Sequence, residues 1–360
     1  MNIRCESMLG TSHSWAVTMR NLLLQFDDMN HNIFINSTNG QDLIPEALKR
    51  NIGRANNTDA DIDISYTLPR NFKHRFSSSS KLKLAIYNYE TSIMPKDWKD
   101  DIRHIDYALP SSNFSKEVFV RSGWPEERCI VIPHGINSDD FLDKRKLKLG
   151  NSRGFRFLNV SIPHYRKNID ILLDAYYSSF TDDDDVCLVL KTKLQKPNNY
   201  FEVDVRKQII HAQKKHFKGK KLPQIEVIQR RLDSMVPLYN SCDSLVSSSS
   251  SEGFGLPLLE GLAANMLVIA PECSGQLDFL SKRNSILVDT QVVKAGRRYQ
   301  YWKPSPGATT YMPRVDSLSE SMRFAFDNRV NIRDEFSEES RSTVSKFSWK
   351  SAANKILEIR

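Results

Sequence analysis

The sequence predicts an α/β protein of two domains built on parallel sheets. Three observations lead there. Phe155-Arg-Phe-Leu-Asn-Val-Ser161 and Asp243-Ser-Leu-Val-Ser247 are short apolar runs of strand length, each followed by a polar loop and then by apolar residues at helical spacing. The same alternation of strand and helix signals runs from Asn2 onward. At 360 residues the chain is long for one core and comfortable for two.

In the N-terminal half, Asn2-Ile-Arg-Cys5 reads as a strand, residues 6–14 as a loop, and residues 15–26 as a helix with Val17, Leu22, Leu23 and Phe26 facing inward. His31-Asn-Ile-Phe-Ile-Asn36 is a second strand, followed by a polar loop with a short helix near residues 45–50. Ile62-Asp-Ile-Ser-Tyr66 alternates as a half-buried strand, and the serines at 77–80 form a low-complexity, mobile connector. Residues 82–89 are a strong strand, with Glu90 in the loop at its carboxyl end, where ligands bind in parallel sheets. A helix over 114–121 can be capped by Ser112 or Asn113. The lysine-rich stretch 139–151 is the natural hinge, which puts the domains at 1–145 and 146–340 with a closing segment at 341–360.

The second half repeats the plan. Arg166 and Lys167 sit at the entrance of a helix starting near Ile169, and Lys191 ends the strand Val186-Cys-Leu-Val-Leu-Lys191. Residues 203–217 read as a basic helix, Ile225–Gln229 as a strand, and Arg231 falls in the loop beyond it. Residues 292–313 look irregular, with Tyr299, Tyr301 and Trp302 among basic residues, and 315–328 form an amphipathic helix.

Composition narrows the class. No apolar run approaches the roughly 20 residues that span a bilayer, and the N-terminus lacks the basic-then-apolar layout of a signal peptide. Cys5, Cys129, Cys187, Cys242 and Cys273 are odd in number and scattered, as expected of free thiols in a cytoplasmic protein. The net charge of +8 is unevenly placed: residues 1–150 carry 20 basic against 19 acidic side chains, whereas 191–231 carry 12 against three. Such a face attracts phosphorylated ligands, DNA or an anionic membrane, or is a solvated helix surface.

The most informative stretch is Ser247-Ser-Ser-Ser-Ser-Glu-Gly-Phe-Gly-Leu-Pro-Leu-Leu-Glu260, a strand end, a loop and a helix start. Gly253 and Gly255 allow a sharp turn and close approach of a ligand, and Pro257 suits a first helical turn. The amides of Phe254, Gly255 and Leu256, with the positive end of the helix dipole, favour a phosphate. Glu252 and Glu260 flank them, and a carboxylate accepts two hydrogen bonds from vicinal hydroxyls. Phosphate donors between two hydroxyl readers describe a nucleotide-sugar site. A plain strand-turn-helix with a capping acid fits the same spacing.

Glu252-Gly-Phe-Gly-Leu-Pro-Leu-Leu-Glu260 resembles the paired-glutamate motif of the retaining glycosyltransferases of family 4, which have the GT-B fold. Leu238–Asp243, Ala263–Ala270 and Ser274–Leu280 extend the match. The resemblance implies two Rossmann-like domains across a cleft and a last helix that crosses back onto the first domain. It implies Glu260 on the ribose of a nucleotide-diphosphate sugar, Glu252 on the sugar, Lys167 on the diphosphate and Arg231 near the base. It puts Gly10 and His13 in the cleft only loosely. A strand-end arginine of the family is Ile162 here, so Arg166 or Lys191 is left to supply that charge, and the family's cleft histidine has no counterpart beside Glu90. No cofactor is implied, and the donor base, uridine, guanosine or adenosine, is not specified.

Two acid pairs, at 182–185 and 59–63, lie at the wrong ends of their strands for a metal at this site, so a metal-independent reaction is expected. A glycan is the first acceptor reading and a hydroxylated base of DNA the second, with peripheral membrane contact left open and no protein partner evident.

Overall fold

A computed structural model describes the chain except residues 54–58, 152, 195–201, 220, 297–303, 331 and 360. The expected aromatic positions Tyr299, Tyr301 and Trp302 lie outside the described residues. The chain forms two compact units, Met1–Ile136 with Phe347–Arg360, and Asn137–Lys346.

The first unit contains β1 (Asn2–Ser7), α1 (Ser14–Asp28), β2 (Asn32–Ser37), α2 (Glu46–Lys49), β3 (Ile62–Tyr66), α3 (Phe72–Arg75), β4 (Leu82–Ile86), β5 (Tyr107–Leu109) and α4 (Asn113–Arg121). Its strands pair in parallel in the order β2-β1-β3-β4-β5. Ser112 caps α4, its hydroxyl accepting from the Ser115 N–H at 3.2 Å. The serine connector is tied down rather than mobile. Asp63 takes the Ser77 N–H at 2.8 Å and the Ser80 hydroxyl at 3.2 Å, and Arg4 bonds both its oxygens at 2.9 Å. A buried carboxylate recruits every donor in reach, and here those donors include the connector.

The second unit contains β6 (Phe155–Val160), α5 (Ile169–Ser179), β7 (Val186–Lys191), α6 (Val205–His216), β8 (Gln224–Ile228), α7 (Val236–Tyr239), β9 (Ser244–Val246), α8 (Leu256–Ala263), β10 (Leu267–Pro271), β11 (Ile286–Val288), β12 (Thr290–Lys294), β13 (Thr309–Pro313), α9 (Val315–Asp327) and α10 (Ile332–Ser345). Six strands pair in parallel in the order β11-β10-β9-β6-β7-β8. β7, between β6 and β8, is apolar on both faces, and Val186, Leu188 and Val189 have no exposure, as a strand covered by helices on each side requires. Residues expected to be irregular form an antiparallel pair, β12 with β13.

The last helix, α11 (Trp349–Leu357), belongs to the first unit and packs on α1. The chain leaves the first unit earlier than the lysine-rich hinge suggested, and for a physical reason. Asn240 donates to the carbonyls of Asp143 and Arg145 at 2.7 and 3.1 Å, and the Leu147 N–H bonds Ser241 at 2.7 Å, so the hinge is laced to the second unit. At the other end, the Ile136 N–H bonds the Phe347 carbonyl at 3.0 Å. Gly135 lies where a Cβ would run into the backbone of Ser348 and Trp349.

Candidate active site

In the second unit the winding of the sheet reverses between β6 and β9, which are hydrogen-bonded neighbours. Loops leaving their carboxyl ends therefore fall side by side, the place where such sheets bind ligands. The two loops are stitched together. The Ser250 N–H bonds the Arg166 carbonyl at 2.8 Å, and the Ser248 hydroxyl bonds the Lys167 carbonyl at 2.8 Å. Asn168 donates to the Ser248 carbonyl at 2.9 Å and to the Ser250 hydroxyl at 2.7 Å. Its backbone is left-handed (φ 44°, ψ 51°), a conformation asparagine tolerates better than most residues, and α5 begins immediately after it.

This stitching brings Arg166, Lys167 and Glu252 into one cluster. Lys167 Nζ bonds one Glu252 oxygen, and Arg166 Nη1 lies 3.2 Å from the other. Arg166 also donates to the Ser249 hydroxyl at 3.3 Å and to the Ser251 carbonyl. All three charged side chains are only 13% exposed, so solvent screens them little. Burial works against the Glu252 charge, but Lys167 and then Arg166 outweigh it and bring the carboxyl down to about 2. His164, buried beside them, is driven down to about 3, chiefly by burial and then by the two cations, so it is neutral at physiological pH. Its Nδ1 accepts the Arg166 N–H at 3.1 Å.

The Glu252 backbone is fixed by Ser274, whose hydroxyl accepts the Glu252 N–H at 2.9 Å. Phe254 is buried against Phe279, with ring centroids 5.1 Å apart. Gly255 takes φ 100° as α8 begins, and a Cβ there would sit 3.2 Å from Leu258 Cδ1. Only glycine makes this turn without strain, and the helix whose first-turn amides lack intrahelical partners begins directly after it. Further along α8, Glu260 accepts a 2.5 Å hydrogen bond from the Tyr239 hydroxyl. Burial raises the Glu260 carboxyl to about 7 against the opposing pull of that bond. Near neutral pH it is thus divided between carboxylate and acid.

The remaining expected residues lie elsewhere. Lys191 is half-buried at the end of β7, where its ammonium reaches the Thr192 carbonyl at 3.3 Å, and Arg231 is exposed. Burial, and then Arg230, lower the Lys191 ammonium. Gly10, His13 and Glu90 belong to the first unit. A Cβ at Gly10 would meet the Gly40 and Asn39 carbonyls, His13 caps α1 by accepting the Trp15 N–H at 3.3 Å, and Glu90 is half-buried beyond β4. Asp61, Asp182 and Asp184 of the acid pairs are held by Lys81, Arg153 and Arg323 at 2.7, 2.6 and 2.8 Å. Among the described residues, no group of three or more His, Cys, Asp or Glu side chains is arranged to hold a metal.

Sequence reasoning missed Tyr239 and Asn168, and it reached Gln276 only through the segment Ser274–Leu280 of the resemblance. Gln276 is fully buried with its Cβ beside Gly255, donates to the Pro271 carbonyl at 2.5 Å, and leaves its Oε1 without a hydrogen-bond partner among the described residues. Asn168 carried a signal, an asparagine immediately ahead of a helix. Tyr239 carried none that spacing could reveal, and Gln276 was marked by the resemblance alone.

With this geometry in place, residues 155–296 match the family model described as glycosyl transferases group 1. An uncharacterized glycosyltransferase of Methanocaldococcus jannaschii is 28% identical over 151 residues, 42% of this chain and 36% of the relative's length. A glycosyltransferase from Rickettsia africae superposes with a TM-score of 0.72 at 16% identity, covering 99% of this chain and 97% of the other. Sucrose-phosphate synthase from Thermosynechococcus elongatus gives 0.71 at 14% identity over 99% and 97% of the two chains. HepE of Anabaena, crystallised with UDP and glucose, gives 0.70 at 14% identity over 99% and 98%. The fold is the GT-B type, two Rossmann-like α/β domains. The family model matches the part of the second unit that carries the Arg166, Lys167 and Glu252 cluster, and the chain spans about a third of the length of the relative from Methanocaldococcus jannaschii.

Proposed function

We propose that the protein is a retaining, family 4 type glycosyltransferase that moves a sugar from a nucleotide-diphosphate sugar to a hydroxyl of a saccharide or glycan. The observation that carries this reading is the convergence of Arg166, Lys167, Glu252 and Gly255 at the winding reversal of one sheet, with Glu260 further along the helix that Gly255 opens. Two cations beside amides at a helix start suit a diphosphate. Glu260, as the carboxylate, accepts the two ribose hydroxyls. Glu252 fixes sugar hydroxyls once Lys167 and Arg166 engage the phosphates.

As the bond from the anomeric carbon to the phosphate oxygen breaks, negative charge gathers on the diphosphate and positive charge on the sugar ring. Arg166, Lys167 and the Gly255 and Leu256 amides stabilise the first of these, the larger part of the catalysis proposed here. The acceptor oxygen then bonds the anomeric carbon on the face the diphosphate leaves, and its proton passes to the departing phosphate oxygen. Such a course needs no nucleophile from the protein. Crystals of Anabaena HepE with UDP and with UDP-glucose support a uridine donor. We assign acceptor binding to the first unit, through Gly10, His13 and Glu90. Five buried free thiols suit the cytoplasm.

A thermal-shift panel of UDP, GDP, ADP and their sugar conjugates tests the donor site. A ligand at a hundred times its Kd stabilises the native state by about 2.7 kcal/mol. Glu260→Ala should abolish the shift. An unchanged shift removes Glu260 from the ribose, and no shift with any nucleotide removes the donor site itself.

A further inference from the structure

One surface has no part in the proposed transfer. α6 buries Val205 and Ala212 and packs Ile209 on the core of the second unit. Its opposite face presents Arg206, Lys207 and Lys214 to solvent around Ile210, which is 51% exposed. Phe217, 63% exposed, follows directly, with Lys221 a few residues on. Arg206, Lys207 and Lys214 flank Ile210 at helical spacing, and beyond the helix end at His216 the chain brings Phe217 and Lys221 to line one hollow with Lys214, so cations and large apolar side chains share one stripe. Lys215 is not part of it, being paired with Asp174 at 2.7 Å.

We infer that this stripe docks the protein on an anionic lipid surface. Solvated helices keep large apolar groups inside, and a lone exposed leucine or valine needs no explanation. An exposed phenylalanine and isoleucine ringed by cations is different. It matches the two components of interfacial binding, apolar side chains entering the headgroup region and cations facing acidic headgroups. A hollow of about 600 Å³ lies against the stripe, lined by Lys214, Phe217, Lys221 and Asp182, and the Asp182 charge is taken up by Arg153 at 2.6 Å. The hollow thus offers two cations and an aromatic wall to a lipid phosphate. A nucleic-acid backbone would use the cations but not the apolar pair.

Position within the second unit favours the same use. α6 follows β7 and ends just before β8, so Phe217 and Lys221 lie toward the amino ends of the strands. The Arg166, Lys167 and Glu252 cluster lies at the carboxyl ends of β6 and β9. The hollow and Phe217 thus lie at the end of the strands away from those loops, with only Arg206 and Lys207 of the stripe toward the carboxyl ends, and the inference does not depend on what the loops bind.

Co-sedimentation of the whole chain with vesicles of phosphatidylcholine, alone or mixed with phosphatidylglycerol, tests it. Binding is expected only to the mixed vesicles and should fall as salt is raised. The double variant Lys207→Glu/Lys214→Glu should weaken partitioning by about fivefold or more per cation. Phe217→Ser, with every charge intact, should weaken it as well. Failure to pellet with the mixed vesicles overturns the inference, as does binding indifferent to the charge reversals. Binding indifferent to Phe217→Ser, with equal retention on duplex DNA, would mark a general polyanion face and overturn it too. All three positions are exposed, so the fold should survive each change.

Discussion

Replacing Glu252 by glutamine should destabilise the unliganded second unit, and the size follows from its charge cluster. The carboxyl moves from an ordinary 4.5 to about 2 because Lys167 and Arg166 outweigh the cost of burial. At roughly 1.4 kcal/mol per unit, the ionised form gains roughly 3 kcal/mol on folding. A depressed carboxyl contributes stability that is complete above the unfolded value of 4.5 and fades as pH falls toward 2. Glu252→Gln should therefore cost roughly 3 kcal/mol near neutral pH and roughly 2 kcal/mol at about pH 3.5. For a unit of this size that lowers Tm by roughly 6–12 °C. Scanning calorimetry of both proteins without nucleotide, at both pH values, measures the difference. Equal Tm values at neutral pH would refute the reasoning, because they would mean the three charges meet in water rather than in a nearly closed pocket.

The Tyr239 hydroxyl holds the Glu260 carboxyl below where burial alone would put it. Tyr239→Phe should raise that value by about one unit or more, from the loss of a charge-assisted hydrogen bond. Calorimetric titration of the best nucleotide should then show affinity falling away at a higher pH than in the wild type, since the acid form of Glu260 cannot accept both ribose hydroxyls. Gly135→Ala forces a Cβ into the backbone of Ser348 and Trp349, so it should loosen α11 from the first unit. Limited proteolysis should release a C-terminal fragment near Phe347 from the variant and not from the wild type.

Much of the candidate site was legible because the relevant groups sit close to strand-loop-helix signals. Arg166 and Lys167 precede α5, and Glu252, Gly255 and Glu260 share one loop and helix. What the sequence could not give was partnership. It set Glu252 on the sugar and the cations on the diphosphate, whereas without ligand they neutralise one another. Tyr239 lies on a four-residue helix 21 positions before Glu260, and nothing local announces that the two meet. The β12–β13 pair was invisible for a related reason: residues 295–308 separate the two runs, too many for the two-residue hairpin turn that sequence reveals most clearly. Serines at 77–80 looked mobile because composition records polarity, not the buried Asp63 that anchors them.

The hydrogen bond between Ile136 and Phe347 has a practical meaning. The chain departs from and returns to the first unit at adjacent points, which makes residues 137–346 a cassette inserted into a smaller host. Cutting there and closing the gap with a short linker should leave a free-standing sheet of five strands, and the excised piece should carry its own six-stranded core. Removing the last fourteen residues, by contrast, would strip a helix from the host while leaving the cassette it follows untouched.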